Sequence, residues 1–118
     1  MTQKLPTLRD DGLLTEEIGS WGEDKYRLVT LYAQMFSASM KAKWDCRVYI
    51  DLFAGPGRSR IEGTTRIVNA SPLLALELEP RFDKYVFCEF DPQKMEALET
   101  RVKRDYPKVE VAFQGGDG

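Results

Sequence analysis

The chain has 118 residues, of which 42% are hydrophobic and 31% charged, and 17 basic against 19 acidic residues give a net charge of -2. This length accommodates one small globular domain with a buried core and excludes a second full domain, because domains typically hold roughly 100 to 200 residues. The charge balance excludes a global basic field for nucleic acid, and the lack of histidine excludes Ser-His-Asp and Cys-His catalysis within this sequence.

The sequence also lacks the apolar stretches that signal peptides and membrane spans need, so we expect a cytoplasmic protein without membrane association. Two cysteines and the lack of a close carboxylate cluster provide few ligands for zinc, and we expect no metal site. Cys46 lies at the start of a predicted strand and Cys88 near the end of its neighbour, which argues against a disulfide.

The first predicted elements are a polar arm and a long helix. Residues 1–19 are polar and interrupted by proline and glycine, which indicates an extended or partly ordered arm. From Trp21 to Met40, apolar residues recur at helical rather than alternating spacing, which predicts an amphipathic helix. We expect its apolar face to pack on the sheet that follows rather than to bind a partner. The predicted division is therefore an arm and helix, 1–44, and a second unit, 45–118.

Three apolar segments predict three strands. Residues 46–53 form a β-branched and aromatic run typical of a strand buried on both faces, and residues 84–90 and 108–113 predict two more strands. Residues 58–70 contain two short β-like pieces separated by Gly63, which indicates a small hairpin or an ordered loop.

Two helices alternate with these strands. Ser71 precedes Pro72, and Asp91 precedes Pro92; a capping side chain followed by proline at the first helical position is typical of a helix start. Strands that alternate with helices imply right-handed crossovers and a parallel sheet, here with the three strands in the order 3-2-1. The predicted fold class is α/β, one flank of a doubly wound, Rossmann-like sheet.

Candidate ligand-binding residues follow each strand, because open parallel sheets bind ligands outside the carboxyl ends of their strands. Asp51 ends the first strand and precedes Gly55 and Gly57, which let the backbone approach a ligand closely. Glu89 ends the second strand, where a carboxylate can accept hydrogen bonds from both hydroxyls of a ribose; its alternative role is a solvated carboxylate or a helix cap. After the third strand, Asp117 is either a ligand contact or part of a simple turn.

The glycine-rich turn does not match the nicotinamide-dinucleotide fingerprint, which needs a third glycine and a helix that begins directly behind it. Arg60 occupies that third position, and the next helix begins only near Ser71, so a cofactor without phosphate groups fits better. Arg58, Arg60 and Arg66 make the intervening loop basic. Ordinary solvated arginines are the favoured interpretation, and an anionic substrate such as nucleic acid is the alternative.

Three segments together resemble successive cofactor motifs of class I S-adenosylmethionine-dependent methyltransferases: YIDLFAGPG (49–57), YVFCEFD (85–91) and QGGDG (114–118). More narrowly, DLFAGPGRSR, SPLLAL and KYVFCEFDP, with Trp21 and Lys25 on the leading helix, are similar to the three-Cys-motif partner protein family. The resemblance covers nearly the whole chain. It implies a methyltransferase-like fold, S-adenosylmethionine as cofactor, and a partner protein that carries a three-cysteine motif.

The resemblance also implies which residues bind the cofactor. The implied cofactor-binding residues are Asp51, Phe53, Ala54, Gly55, Gly57, Glu89, Phe90 and Asp117. The turn that begins at Asp51 would surround the methionine end of the cofactor. Glu89 would bind the ribose, Phe90 would pack against the adenine ring, and Asp117 would face the adenine amino group.

Methyltransferases of this class usually have a larger sheet and place their catalytic motif after its fourth strand, so the catalytic residues here are unknown. The first hypothesis is the S-adenosylmethionine-binding part of a methyltransferase, with unknown methyl acceptor, inactive as this N-terminal half alone. The second is a non-catalytic interaction module of the same fold, which binds a partner protein or associates with itself through the exposed edge of the first strand. The third is a nucleic-acid binder that uses the loop arginines.

Overall fold

The structure, a computed structural model, describes residues 5–40 and 46–115. The elements are β1 (Glu16–Ile18), α1 (Ser20–Met40), β2 (Val48–Asp51), β3 (Arg58–Ile61), β4 (Ile67–Asn69), α2 (Ser71–Leu76), β5 (Lys84–Glu89), α3 (Pro92–Asp105) and β6 (Val111–Gly115). The strands form two sheets, β1-β3-β4 and β2-β5-β6. The predicted α/β class, with helices and parallel strands, is therefore confirmed. In the described ranges, no helix combines the length and apolar character that a bilayer crossing needs.

The larger sheet consists of three parallel strands with β5 in the middle. β2 pairs with β5 so that Tyr49 lies opposite Tyr85 and Asp51 opposite Phe87, and β5 pairs with β6 so that Glu89 lies opposite Gly115. All three strands therefore end at the same edge. β2 is shorter than the predicted strand, and β6 begins three residues later than predicted.

One face of this sheet carries the core. Tyr85 and Phe87 are fully buried and belong to the same cluster as Leu73 of α2 and Leu98 of α3. Each such side chain contributes roughly 1.5 to 3 kcal/mol through burial of apolar surface. The crossovers from β2 to β5 and from β5 to β6 run in the same direction across the sheet and have the same hand, so both helices lie on this one face.

The opposite face of β2 is open. Val48 is 44% exposed and Ile50 is 59% exposed. The expectation that this strand is buried on both faces is therefore wrong, because α2 and α3 both pack on the face that carries Tyr49.

The smaller sheet joins the N-terminal arm to the loop that follows the glycine-rich turn. β3 and β4 pair antiparallel, so the loop forms the small hairpin that was one of the two expectations. β1 pairs parallel with β3, and Leu8 forms an isolated bridge with Ile67. The arm is therefore ordered against the hairpin, and an element of 1–44 shares a sheet with elements of 45–118.

A cluster of charged side chains also holds the N-terminal arm against α3 and the hairpin. Arg101 of α3 is fully buried and donates two hydrogen bonds to Asp11, at 2.8 and 2.9 Å. Arg101 also donates to the carbonyl oxygen of Pro56 at 2.7 Å, while Arg58 and Arg104 each lie 3.1 Å from the Asp11 carboxylate. The Arg101 guanidinium holds the pKa of Asp11 well below its usual range. Asp11 thus links the arm to α3 and to the hairpin.

Helix α1 packs through its small and polar side. Gly22, Glu23 and Ser37 are the buried residues of this helix. Arg66 donates to the Glu23 carboxylate at 2.9 and 3.0 Å, and Ser37 donates to the carbonyl oxygen of Pro80 at 2.7 Å. The large apolar side chains lie on the exposed side: Trp21, Leu28, Val29, Leu31, Tyr32, Met35 and Phe36. The expectation that the apolar face packs on the sheet is wrong, because the partnered polar side faces the body instead.

Candidate functional site

The turn after β2 approaches several neighbours closely. Gly55 and Gly57 have φ angles of +67° and +94°, in the left-handed region that favours glycine. A Cβ on Gly57 would lie 3.1 Å from Leu98 and 3.3 Å from Leu73, so this glycine lets the turn pack against α2 and α3. A Cβ on Gly55 would lie 3.3 Å from the carboxylate of Glu16. Gly57 therefore serves packing, whereas Gly55 faces a charged group.

Glu89 ends the middle strand and is bonded to the glycine-rich turn. Its Oε1 accepts a hydrogen bond from the Gly55 amide at 2.9 Å, and its Oε2 accepts one from the Asp91 amide at 2.8 Å. A carboxylate offers about four lone-pair positions, so each oxygen can still accept another donor. Asp91, not Glu89, caps α3, since its side chain accepts from the amides of Gln93 and Lys94.

Asp51 joins the end of β2 to the start of α2. Its Oδ2 accepts a hydrogen bond from the Ser71 hydroxyl at 2.6 Å, and its Oδ1 accepts from the Phe53 amide at 3.2 Å. The predicted capping role of Ser71 is wrong: Ala70 occupies the N-cap position, and its side chain makes no capping hydrogen bond. The Ser71 hydroxyl is directed to Asp51 instead, which fixes the orientation of that carboxylate.

An open cleft of about 720 Å³ begins at the end of β5 and runs along α3. Its lining includes Glu89, Phe90, Met95, Thr100, Gln114 and Gly115. The volume lies within the roughly 300 to 1,000 Å³ typical of small-molecule sites. The cleft therefore lies at the carboxyl ends of two adjacent parallel strands, where ligands of such sheets bind.

Of the other residues predicted to bind a cofactor, some border the cleft and others do not. Phe90 borders the cleft and is 64% exposed, whereas Phe53 is 81% exposed and does not border it. Ala54 is buried in the core cluster, and its amide donates to the carbonyl oxygen of Cys88 at 3.0 Å. Asp117 lies outside the described residues. The structure thus brings together Glu89, Phe90 and the turn, while the side chain of Ala54 faces the core.

An ion pair that was not predicted lies beside the same turn. Lys94 Nζ lies 2.9 Å from Oε2 of Glu16, the carboxylate that faces Gly55. The contact with Glu16 raises the pKa of Lys94, and the negative charge of Glu89 adds to this effect. Burial raises the pKa of Tyr26, as does its proximity to the Glu16 carboxylate. The sequence offers no signal for this arrangement, because Glu16 is one of several acidic residues in the arm.

The arginines of the hairpin are mostly engaged within the chain. Arg58 pairs with Asp11 at 3.1 Å, and burial lowers its pKa. Arg66 pairs with Glu23 and also donates to the carbonyl oxygen of Leu5 at 3.0 Å. Neither predicted interpretation, solvated side chains or a site for an anionic substrate, describes these two arginines, since both hold the arm in place.

The described residues include no group of three or more histidine, cysteine, aspartate or glutamate side chains that could hold a metal ion. Cys46 and Cys88 are both free. What the site offers chemically is a carboxylate with unused acceptor capacity, an exposed aromatic ring and a cleft between them and α3. These groups suit a ligand that combines hydroxyl donors with a planar ring.

Comparison of the chain with protein-family models, with curated proteins and with solved structures found no match.

Proposed function

We propose that the chain is the S-adenosylmethionine-binding part of a methyltransferase, whose acceptor is not specified by these residues. The observation that carries the proposal is the position of Glu89. Glu89 is the last residue of β5, the middle of three parallel strands. Its carboxylate accepts a hydrogen bond from the glycine-rich turn, and the residue lines the cleft. A ribose in the cleft would place its two hydroxyls within reach of this carboxylate.

The two ends of the cofactor would then lie on either side of Glu89. The adenine ring would occupy the cleft and pack against Phe90 and Met95. The methionine end would lie along the turn near Gly55. Asp51 would place negative charge near the sulfonium there, whereas the charge of Glu16 is already paired with Lys94.

The strand arrangement supports the finer assignment of fold. β2, β5 and β6 are the three strands predicted from the sequence, and they lie side by side in parallel with β5 between the other two. In a Rossmann-like sheet this neighbour order, 3-2-1 along the chain, places cofactor motifs at one edge. Methyl transfer itself would depend chiefly on alignment of acceptor and methyl group.

Calorimetric titration of S-adenosylmethionine and S-adenosylhomocysteine into the purified chain tests the proposal. We expect both to bind and NAD not to bind. Glu89→Gln removes the charge that strengthens the ribose hydrogen bonds and should weaken binding about 10-fold or more, since hydrogen bonds to charged groups contribute roughly 1.5 to 3 kcal/mol. Glu96→Gln makes the same charge change at an exposed position of the same cleft and should change affinity less than twofold. A folded chain that binds neither compound would refute the proposal, as would equal effects of the two substitutions.

A second candidate is a non-catalytic interaction module of the same fold, and the exposed apolar residues of α1 and β2 favour it. Its partner would be a three-cysteine-motif protein or another copy of the chain. A folded chain that binds no cofactor but forms a complex would support this function over the first. The nucleic-acid hypothesis is weakened, because Arg58 and Arg66 are engaged by Asp11 and Glu23.

A further inference from the structure

The exposed side of α1 carries a largely apolar stripe with the spacing of a coiled-coil seam. The stripe, called the outer seam here, consists of Trp21, Lys25, Leu28, Tyr32, Met35 and Ser39. Successive members are separated by alternating steps of four and three residues, the spacing of the two core positions in a heptad. Val29, Leu31 and Phe36 flank the outer seam, and they too are exposed.

The outer seam and the exposed residues that flank it are together large enough for a stable interface. Trp21, Tyr32 and Phe36 are 71%, 64% and 52% exposed. Because aromatic side chains bury roughly 150 to 250 Å² each, these three alone offer on the order of 350 Å². The exposed leucines, Val29 and Met35 bring the total to roughly 600 to 800 Å², close to the approximately 800 Å² per partner of a standard interface.

We propose that the outer seam packs against the outer seam of a second copy of this chain, as an antiparallel pair of helices. In that orientation Trp21 lies opposite Ser39 of the second copy, so the largest side chain of the seam meets its smallest. Leu28 lies opposite Tyr32, and the apolar stem of Lys25 lies along Met35 while its charge reaches water. The two helix dipoles oppose each other, which is favourable.

A parallel pair fits the same residues poorly. It would place Lys25 against Lys25 and Trp21 against Trp21, and it would align the two helix dipoles. The segment from Leu28 to Met40 contains no charged residue, so Lys25 is the single charge of the outer seam, and the seam has no charge pattern with which to select a helix of different sequence. A groove of about 550 Å³ beside the seam, lined by Leu5, Leu28 and Leu31, leaves room for Leu31 of the second copy.

Sedimentation velocity across a range of protein concentrations tests the association. We expect a species of twice the 13.5 kDa chain mass. Leu28→Lys places a charge in the outer seam and should weaken association at least about 50-fold, while Gln93→Lys, at an exposed position of α3 outside the seam and its groove, should leave it within about threefold. Both positions are exposed, so circular dichroism should show unchanged folding. A wild-type chain that stays monomeric at 100 µM, or a dimer that Leu28→Lys does not weaken, would overturn the proposal.

Cysteine cross-linking tests the orientation, in a chain whose own cysteines are replaced by Cys46→Ser and Cys88→Ala. The antiparallel pair brings the two Leu31 positions together, so Leu31→Cys should form a disulfide-linked dimer under mild oxidation, whereas Ser39→Cys should not. The opposite pattern indicates a parallel pair, and no cross-link from either variant excludes a seam-to-seam contact; both outcomes overturn the proposal. This inference is independent of the cofactor, and Leu28→Lys should leave cofactor affinity unchanged.

Discussion

Replacing Asp11 by alanine removes a carboxylate that accepts two hydrogen bonds from the fully buried Arg101 and pairs with Arg58 and Arg104. Arg101 would keep its bonds to the carbonyl oxygens of Leu14 and Pro56 but would lose its counter-charge. Breaking a buried ion pair by removing one partner typically costs roughly 3 to 5 kcal/mol. Because Asp11 is 13% exposed and water can partly replace it, we expect a loss at the lower end, about 3 kcal/mol.

Urea unfolding followed by circular dichroism measures this loss. For small proteins the free energy of unfolding falls by about 2 kcal/mol per molar urea, so the urea concentration at the unfolding midpoint should fall by roughly 1.5 M. Asp10→Ala is the matched control, because Asp10 is exposed and, among the described residues, accepts a hydrogen bond only from the nearby Gly12 amide. That variant should lose less than about 1 kcal/mol.

The same ion pair gives the stability of the chain an acid dependence. The pKa of Asp11 is lowered in the folded state from its ordinary value of 3.8, chiefly by Arg101. The stabilisation is therefore fully present above pH 3.8 and is lost as the pH falls below it. Unfolding midpoints at pH 5 and pH 2.5 should differ more for the wild type than for Asp11→Ala. Equal midpoints for Asp11→Ala and Asp10→Ala, or parallel acid dependence, would refute the structural role given to Asp11.

Two further predictions concern the glycine-rich turn and the larger sheet. Gly57→Ala should destabilise the chain by about 2 to 4 kcal/mol in urea unfolding, because the added Cβ meets Leu98 at 3.1 Å at a positive φ. Gly63 also has a positive φ, but a Cβ there would meet no atom of the described residues within 4 Å, so Gly63→Ala should cost only about 1 kcal/mol. Equal losses for the two variants would contradict the packing argument. Burial raises the pKa of Tyr49 to about 12. The stability that the protonated phenol contributes to the folded state is therefore present below pH 10 and is lost as the pH rises towards 12. Unfolding midpoints of Tyr49→Phe should therefore fall less between pH 9.5 and pH 11.5 than those of the wild type, and an equal fall would show that Tyr49 titrates normally.

The α/β class and the main elements could be predicted because they depend on local patterns. Helical spacing identified α1, and the Asp91–Pro92 pair located the start of α3, where Asp91 does cap the helix. The burial of these elements could not be predicted in the same way. Amphipathic spacing in α1 identifies an apolar side, but which side faces the body depended on the partners of Glu23 and Ser37, which lie far along the chain.

In the candidate site, too, residues in local motifs could be predicted and residues placed by tertiary contacts could not. Glu89 and Gly55 could be identified because strand ends and glycine-rich turns are local features, and their hydrogen bond joins two predicted motifs. Glu16 and Lys94 could not, because nothing near either residue indicates that the arm crosses the turn. The sequence shows that the hairpin is basic, but it does not show what its arginines bind. Arg58 and Arg66 pair with Asp11 and Glu23, whose positions only the tertiary fold determines.

The glycine-rich turn is held from several sides before any ligand arrives. The Gly55 amide is bonded to Glu89, the Ala54 amide to Cys88, the Gly57 carbonyl oxygen to Ala70, and the Pro56 carbonyl oxygen to the buried Arg101. A ligand that docks on such a preorganised surface loses little affinity to the ordering of the loop. The entropy lost on binding would then come mainly from the ligand itself, so rigid analogues of a flexible ligand should gain affinity over the parent compound.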